Sequence, residues 1–492
     1  MLFSKIIKNR FSCSNTVRSL STIGESNFKP PQYEGPTYEE ILHIKKQHLT
    51  PNILSYYKKP LLIHSGHMQW LYDHTGKNYL DLFGGIVTVS VGHCHPKITK
   101  ALEEQIKKLW HTTNIYMHPK IHEYAEKLTS KFPGDLKVVY FVNSGSEAND
   151  LAILLSRIYT GNFDILSFQN AYHGMSPSTM GLTAHSTWRY KLPGANLGIH
   201  HVMNPDPFSG IWGGSNCRNS IIQTLRQCEC TNKSECMATT KYYKQLENVL
   251  KYSLPQKNVA ALFAESIQGV GGTVQFTKGY IKKAAELVRT NGGLLISDEV
   301  QTGFGRTGEH FWGFQDHDVI PDIVTMAKGI GNGFPLAAVV TTPKIAKCLN
   351  QAFHFNTYGG NPLASAVGIA VLDVIEHEKL QENSAKVGTY FLKQLAKLRD
   401  KYMVIGDVRG KGLMIGVELV NDRDSNSPLS IEHVLDIWEK IKDLGVLIGR
   451  GGLYGNVFRI KPPMCISIEN VDMAIEIFDK VLYEFEKGQG KI

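Results

Sequence analysis

The stretch DIVTMAKGIGNGFP, Asp322 to Pro335, ends a mostly apolar run with a lysine, Lys328, and then opens onto three glycines. Ile323 to Ala327 is rich in β-formers, which predicts a buried strand rather than one face of an exposed helix. A lysine closing such a strand has to leave water. It is therefore paired, or snorkels outward, or works as a neutral or covalently bound amine.

The surrounding chain repeats the pattern. VVYFV (138–142), DILSF (164–168), AALFAE (260–265), GGLLISDEV (292–300) and LAAVVTT (336–342) also read as strands. Helical patterns separate several of them, as in GYIKKAAELVRTNGG, where Ile281, Ala284, Ala285 and Val288 share one face and Gly292-Gly293 follow as a stop. This alternation predicts a mainly parallel sheet covered by helices on both faces, with ligands gathering at the carboxyl ends of the strands. Residues around 30–95 are mixed and loop-rich. Beyond about 345, two helical stretches flank the short strands GLMIGVELV (412–420) and NVFRIKPP (456–463). The two ends of the chain read together as a smaller α+β domain.

Two further sites join Lys328. In VNSGSEANDLAILL, the turn from Asn143 to Ser146 precedes a helix that is expected to turn Leu151, Leu154 and Leu155 inward. Gly145 and Ser146 then offer backbone N–H groups at a helix N-terminus, a natural phosphate site, although a plain capped turn reads equally well. Asp298, in LLISDEVQTGFGRTG, ends an apolar strand where a carboxylate needs a strong donor. One crossover separates its strand from that of Lys328, so in a parallel sheet both enter the same crevice. A phosphate cradle, a buried acid and a buried lysine are three fixed points that suit pyridoxal phosphate. FGRTG (304–308) is a loop, since the full dinucleotide fingerprint is absent, and His93, His95 and His173 are expected to be packed and hydrogen-bonded.

The chain has 492 residues, 42% hydrophobic and 20% charged, enough for two domains. The formal net charge is +8, and Lys5, Lys8, Arg10 and Arg18 supply half of that excess within an acid-free N-terminal segment. Leu2, Phe3, Ile6, Ile7 and Phe11 can share one helical face opposite those cations, which resembles a mitochondrial transit peptide. No apolar run is long enough for a membrane-spanning helix, and no membrane association is expected. Of the eight cysteines, Cys217, Cys228, Cys230 and Cys236 lie together in a polar, inserted-looking segment. Their spacing matches no familiar zinc pattern, so they read as incidental surface thiols, and no metal is expected.

NSGSEAND, AYHG, SDEVQTGFGRTG, MAKGIGNGFPLAAV, TYGGNP and VRGKGLMIGVEL together resemble the motif set of the class III aminotransferases, over nearly the whole chain from about residue 40. The resemblance implies a fold-type I α/β architecture, with a large domain on a mainly parallel seven-stranded sheet and a smaller α+β domain. The expected division is a transit peptide over 1–28, the N-terminal part of the small domain over 29–95, the cofactor-binding domain over 96–345 and the C-terminal small domain over 346–492. The resemblance also implies roles. Lys328 matches the lysine that binds pyridoxal phosphate covalently and moves protons, and Asp298 the carboxylate on the pyridine nitrogen. Gln301 matches the residue near the phenolic oxygen, Tyr172 the aromatic stacked on the ring, Gly145 and Ser146 the phosphate cradle. Thr357 matches a phosphate ligand given by a neighbouring subunit, so a homodimer or a dimer of dimers is expected. Arg459 matches the arginine that grips a substrate carboxylate. Val270 and Met175 stand where relatives handling ornithine-like donors carry a glutamate and an arginine.

The leading expectation is therefore an aminotransferase of the mitochondrial matrix, acting on small amino acids and 2-oxo acids. The favoured pair is L-alanine and glyoxylate, giving pyruvate and glycine. The alternative is a class III enzyme using β-amino acids such as 3-aminoisobutyrate, or other donors. A nucleic-acid-binding or scaffolding role on a dead aminotransferase fold would draw on the positive charge alone. No basic stripe interleaved with aromatics accompanies it, and no nucleic-acid partner is expected.

Overall fold

The computed structural model describes residues 28–52, 57–230 and 236–490. The transit-peptide expectation falls almost wholly outside the described residues. Among those described, no helix is long and apolar enough to cross a membrane.

Near the N-terminus, strands β1 (Ile63–His67), β2 (Trp70–Asp73) and β3 (Asn78–Asp81) form an antiparallel meander. The central sheet follows with β4 (Val138–Val142), β5 (Ile165–Phe168), β6 (Ile199–Val202), β7 (Ala261–Glu265), β8 (Leu294–Asp298), β9 (Ile323–Met326) and β10 (Ala337–Thr341). Its order is β4-β10-β9-β8-β7-β5-β6. The pairs from β9 through β8, β7 and β5 to β6 are parallel, and β10 runs antiparallel to both of its neighbours. This is the expected mainly parallel seven-stranded sheet. β6 was not foreseen, because its sequence Ile-His-His-Val carries two polar side chains in four residues and is only partly buried.

The helix Gly145–Thr160 covers one sheet face, and the helices Met237–Ser253 and Tyr280–Thr290 cover the other, each closing its own apolar layer. In Tyr280–Thr290 the expected face is buried: Ile281, Ala284, Ala285 and Val288 all point inward. In Gly145–Thr160 the expectation holds for Leu151 and Leu155 but not for Leu154, which is 44% exposed. Leu151 and Leu155 lie four residues apart on the inward stripe. Leu154 lies off that stripe, whereas Ala148, Asn149, Ala152, Ile153 and Ser156 are buried with the two inward leucines.

The C-terminal part adds β11 (Ile405–Lys411), β12 (Met414–Asp422), β13 (Ser427–Pro428), β14 (Val446–Leu447), β15 (Gly449–Gly451) and β16 (Val457–Ile460). β11, β12, β16 and β15 form one antiparallel sheet, with β13 beside β12. β14 leaves it and pairs in parallel with β3, Val446 opposite Leu80 and Leu447 opposite Asp81. β14 thus brings the N-terminal meander and the C-terminal part together in one sheet.

Close packing at β15 bears directly on the site. A Cβ on Gly449 would come within 1.9 Å of the Phe83 ring, and that ring lies 5.2 Å beneath the guanidinium of Arg459. Gly449→Ala is expected to push the ring out of place and lower stability by about 1–3 kcal/mol, the usual scale for overpacking. Urea denaturation of the two proteins checks this.

Candidate active site

β8 and β9 are adjacent and parallel, with Asp298 paired to Thr325 across the register. Asp298 is the last residue of β8, and Lys328 follows the end of β9 by two residues, so both stand at the same edge of the sheet. Lys328 adopts φ of +52°. This left-handed conformation costs a side-chain-bearing residue roughly 1–2 kcal/mol, and the tight turn into Gly329 and Gly331 imposes it. Burial, reinforced by Arg459 and opposed by Asp298 and Glu265, pushes the Lys328 ammonium down to about 8. Near neutral pH an appreciable share of this amine is uncharged.

Asp298 is 4% exposed and fully engaged. One carboxylate oxygen accepts from Asn149 Nδ2 at 2.9 Å and meets His173 Nδ1 at 2.8 Å. The other accepts the Val300 N–H at 3.1 Å. Asn149 belongs to the helix Gly145–Thr160, whose N-cap, Ser144, accepts the Glu147 N–H at 3.2 Å. Gly145 and Ser146 are in its first turn, where N–H groups have no intrahelical acceptors and favour an anion. Ser146 Oγ also accepts the Met175 N–H at 3.2 Å, and a Cβ on Gly174 would lie 2.5 Å from that hydroxyl. Glycine at 174 is what lets the Tyr172–Met175 loop close on the helix N-terminus.

Besides Asn149, two further contributors were not foreseen. Glu265, at the end of β7 and paired in register with Asp298, is buried and accepts the N–H groups of Tyr172 at 3.1 Å and Gly269 at 2.6 Å. Burial pushes its carboxyl above the usual carboxylate range. It suspends two loops from one side chain, and its position at a strand end was the same sequence signal that singled out Asp298. Lys461 lies two residues beyond Arg459. Its Nζ donates to Gln301 Oε1 at 3.0 Å and to the Gly269 carbonyl at 3.4 Å. Burial, with Arg459 close by, pushes its ammonium well below the ordinary lysine value. The period-two spacing from Arg459 to Lys461 was legible in NVFRIKPP.

Arg459, in β16, is 2% exposed and donates to the same Gly269 carbonyl at 3.3 Å. A Cβ on Gly451 would stand 2.8 Å from its Cδ, so β15 leaves room for the long side chain. Val270 is buried beside this carbonyl. Lys328, Asp298, Gln301, Tyr172, Gly145, Ser146 and Arg459 are therefore linked through shared partners or direct electrostatic contact. Thr357 is not among them. It lies on an exposed loop, and among the described residues it makes no hydrogen bond to the others.

The histidines are packed as expected. His93 meets Asp81 at 2.7 Å, and His95 caps the helix Pro96–Ile106 and meets Glu378 at 3.1 Å. The thiols correct the sequence reading. Cys217 is buried, and Cys228, Cys230 and Cys236 pack against the same apolar layer, so they are not incidental surface groups. An insert that looks polar by composition folds its cysteines inward.

A strained, partly uncharged amine, a buried carboxylate held by three donors and a helix N-terminus make a donor set that fits an aldehyde-bearing aromatic phosphate. The arrangement belongs to a cofactor-dependent transferase on a mainly parallel sheet. The profile of the family described as Aminotransferase class-III matches residues 55–482. The chain belongs to that family, whose cofactor is pyridoxal phosphate. It is 54% identical over 466 residues to human mitochondrial alanine–glyoxylate aminotransferase 2, covering 94% of this chain and 90% of that protein. It is 47% identical to mitochondrial alanine–glyoxylate aminotransferase 2 homolog 2 of Arabidopsis thaliana, over 92% and 89% of the two chains. Among solved structures, a phospholyase from Arthrobacter in complex with phosphoethanolamine superposes with a TM-score of 0.80 at 30% identity, over 90% of this chain and 99% of that one.

The cofactor-free protein is expected to capture pyridoxal phosphate faster as pH rises through about 8, because the attacking amine is the deprotonated form. Stopped-flow absorbance between pH 6 and 10 checks this. A rate flat across that range would assign capture to another group.

Proposed function

We propose that this enzyme transfers the amino group of L-alanine to glyoxylate, giving pyruvate and glycine, in the mitochondrion and there in the matrix. Its similarity to two relatives carrying that activity in their names supports the reading. The likeness to a phospholyase is a reminder that the fold alone does not choose the substrate.

When bound, pyridoxal phosphate supplies an aldehyde carbon that takes the amino group and a ring that withdraws electrons. In this proposal Lys328 holds the cofactor through its uncharged amine and, once displaced, moves the proton at the substrate's α-carbon. Asp298 keeps the ring nitrogen protonated, with Asn149 and His173 fixing the carboxylate. Gly145 and Ser146 take the phosphate, Tyr172 covers the ring, and Gln301 faces the phenolic oxygen. The domain division at 96 and 345 belongs to the same proposal.

One observation carries the substrate choice. Arg459 is buried beside an apolar residue, Val270, and donates to the Gly269 carbonyl. A glutamate at 270 could neutralise the guanidinium; a valine cannot. Arg459 then serves a substrate carboxylate in both half-reactions, which suits a donor and an acceptor that each carry one next to the reacting carbon. Met175 adds no second cation for the far end of a longer donor.

We also place Thr357 in the partner subunit's site of a homodimer. Support comes from the apolar surface around it: Phe353, Phe355 and Tyr358 are exposed beside a second segment bearing Trp110, Ile115 and Met117, and Tyr358 touches His111 at 5.5 Å between ring centroids. Surface of this kind is usual where chains associate.

Lys328→Ala is expected to bind the cofactor without covalent attachment and to lose nearly all turnover. Borohydride reduction followed by peptide mapping of the wild type checks the assignment, and a label on any other lysine would refute it. Arg459→Lys is expected to cost about 2–3 kcal/mol in kcat/KM for alanine, the scale of a charge-assisted pair, and little for a donor lacking a carboxylate. A panel of amino donors with glyoxylate or pyruvate measures both. Equal losses, or faster turnover of 3-aminoisobutyrate than of alanine, would overturn the alanine reading.

A further inference from the structure

The thiols of the insert lie close together. Cys217 Sγ lies 3.3 Å from Cys228 Sγ and 4.0 Å from Cys230 Sγ. The sulfurs of Cys217, Cys230 and Cys236 all fall within 4.8 Å of each other. Four sulfurs bound tetrahedrally at about 2.3 Å from a zinc ion stand about 3.8 Å apart; three of the sulfurs are already grouped on that scale, and Cys228 lies against Cys217 as the fourth.

The polar groups around the sulfurs are donors. Cys228 Sγ accepts the Cys230 N–H at 3.3 Å, and Cys230 Sγ accepts the Met237 N–H at 3.3 Å. Cys236 is the N-cap of the helix Met237–Ser253, so its side chain stands at that helix's N-terminus. Backbone N–H groups aimed at sulfur are the kind of donors that orient sulfurs ligating a metal.

We propose that Cys217, Cys228, Cys230 and Cys236 bind a structural zinc ion. All four positions are filled by protein, so the site is closed and takes no part in the transfer reaction. Soft thiolates in a tetrahedral set select zinc over magnesium, calcium or manganese. Binding replaces the thiol protons by the metal, so the site weakens in acid.

Its place in the fold gives the ion a task. The Cys217 carbonyl accepts the Lys278 N–H at 2.8 Å, which ties the insert to the segment entering the helix Tyr280–Thr290. The next residue, Arg218, is buried and forks onto Asp407 at 2.6 and 2.9 Å. Asp407 also accepts from Arg409 at 3.2 Å, and Arg409 donates to the Gly272 carbonyl at 2.7 Å. Gly272 ends the short loop that begins at Gly269, the residue whose carbonyl receives Arg459 and Lys461. The ion would fix the insert from which this chain of contacts starts.

The full-length enzyme, purified with reductant in zinc-containing medium and without chelator, should carry one zinc per chain by elemental analysis. Cobalt exchanged into it should show the visible bands of tetrahedral thiolate coordination. Cys217→Ser/Cys230→Ser should lose the metal and melt at lower temperature while keeping its cofactor absorbance. Because that variant could fail to fold, the wild-type metal content and cobalt spectrum decide independently. The site is refuted if the protein carries no metal and all four thiols react with a thiol reagent as fast as exposed Cys94, if mass spectrometry finds a disulfide among them, or if the bound metal is iron. None of these readouts depends on which amino donor the enzyme uses.

Discussion

A carboxylate buried at the end of a central strand is the constraint around which the site is organised. Left without partners, a carboxylate buried like Asp298 would bear the full cost of desolvation. It stays because its donors come from three separate segments: Asn149 from the helix after β4, His173 from the loop after β5, and the Val300 N–H from its own turn. Meeting the carboxylate's needs therefore fixes the relative position of the helix N-terminus, the loop that carries Tyr172 and the strand end beside Lys328. Glu265, one strand over, gathers backbone rather than side chains, suspending the Tyr172 and Gly269 loops. Two neighbouring acids thus divide the work of shaping one cleft.

Much of this was legible because it rests on period and position. A lysine and an aspartate closing apolar runs separated by one crossover have to share an edge in a parallel sheet, and they do. The parts that escaped share a different character. β6 is half polar and only partly covered, so its period carries little signal. Leu154 was grouped with Leu151 and Leu155 by residue type, whereas the helix face depends on angle. The convergence of four cysteines depends on how an irregular insert folds back on itself, which no periodicity encodes. Glu265 and Lys461 are a different case. Glu265 ends the strand beside that of Asp298, and Lys461 is the next alternate residue after Arg459, so both positions carry the same sequence signal as their neighbours.

The cleft is also shaped by what is missing from its walls. Glycines at 449 and 451 leave volume that Phe83 and the stem of Arg459 occupy, and Gly174 leaves the gap through which a loop reaches Ser146. Side-chain-free positions on β15 thus let a long cation lie flat within a sheet that is otherwise tightly packed, with an aromatic face beneath it.

The pairing of β14 with β3 has a consequence for how the protein is made. The edge of β3 that receives Val446 and Leu447 is formed early in the chain, yet its partner lies more than three hundred residues downstream. During synthesis the first meander emerges from the ribosome with that edge open, and it stays open until almost the whole polypeptide has been released. An uncovered strand edge is the surface on which nascent chains pair wrongly with one another. The fold therefore closes this edge only when the last part of the chain is available to pair with it.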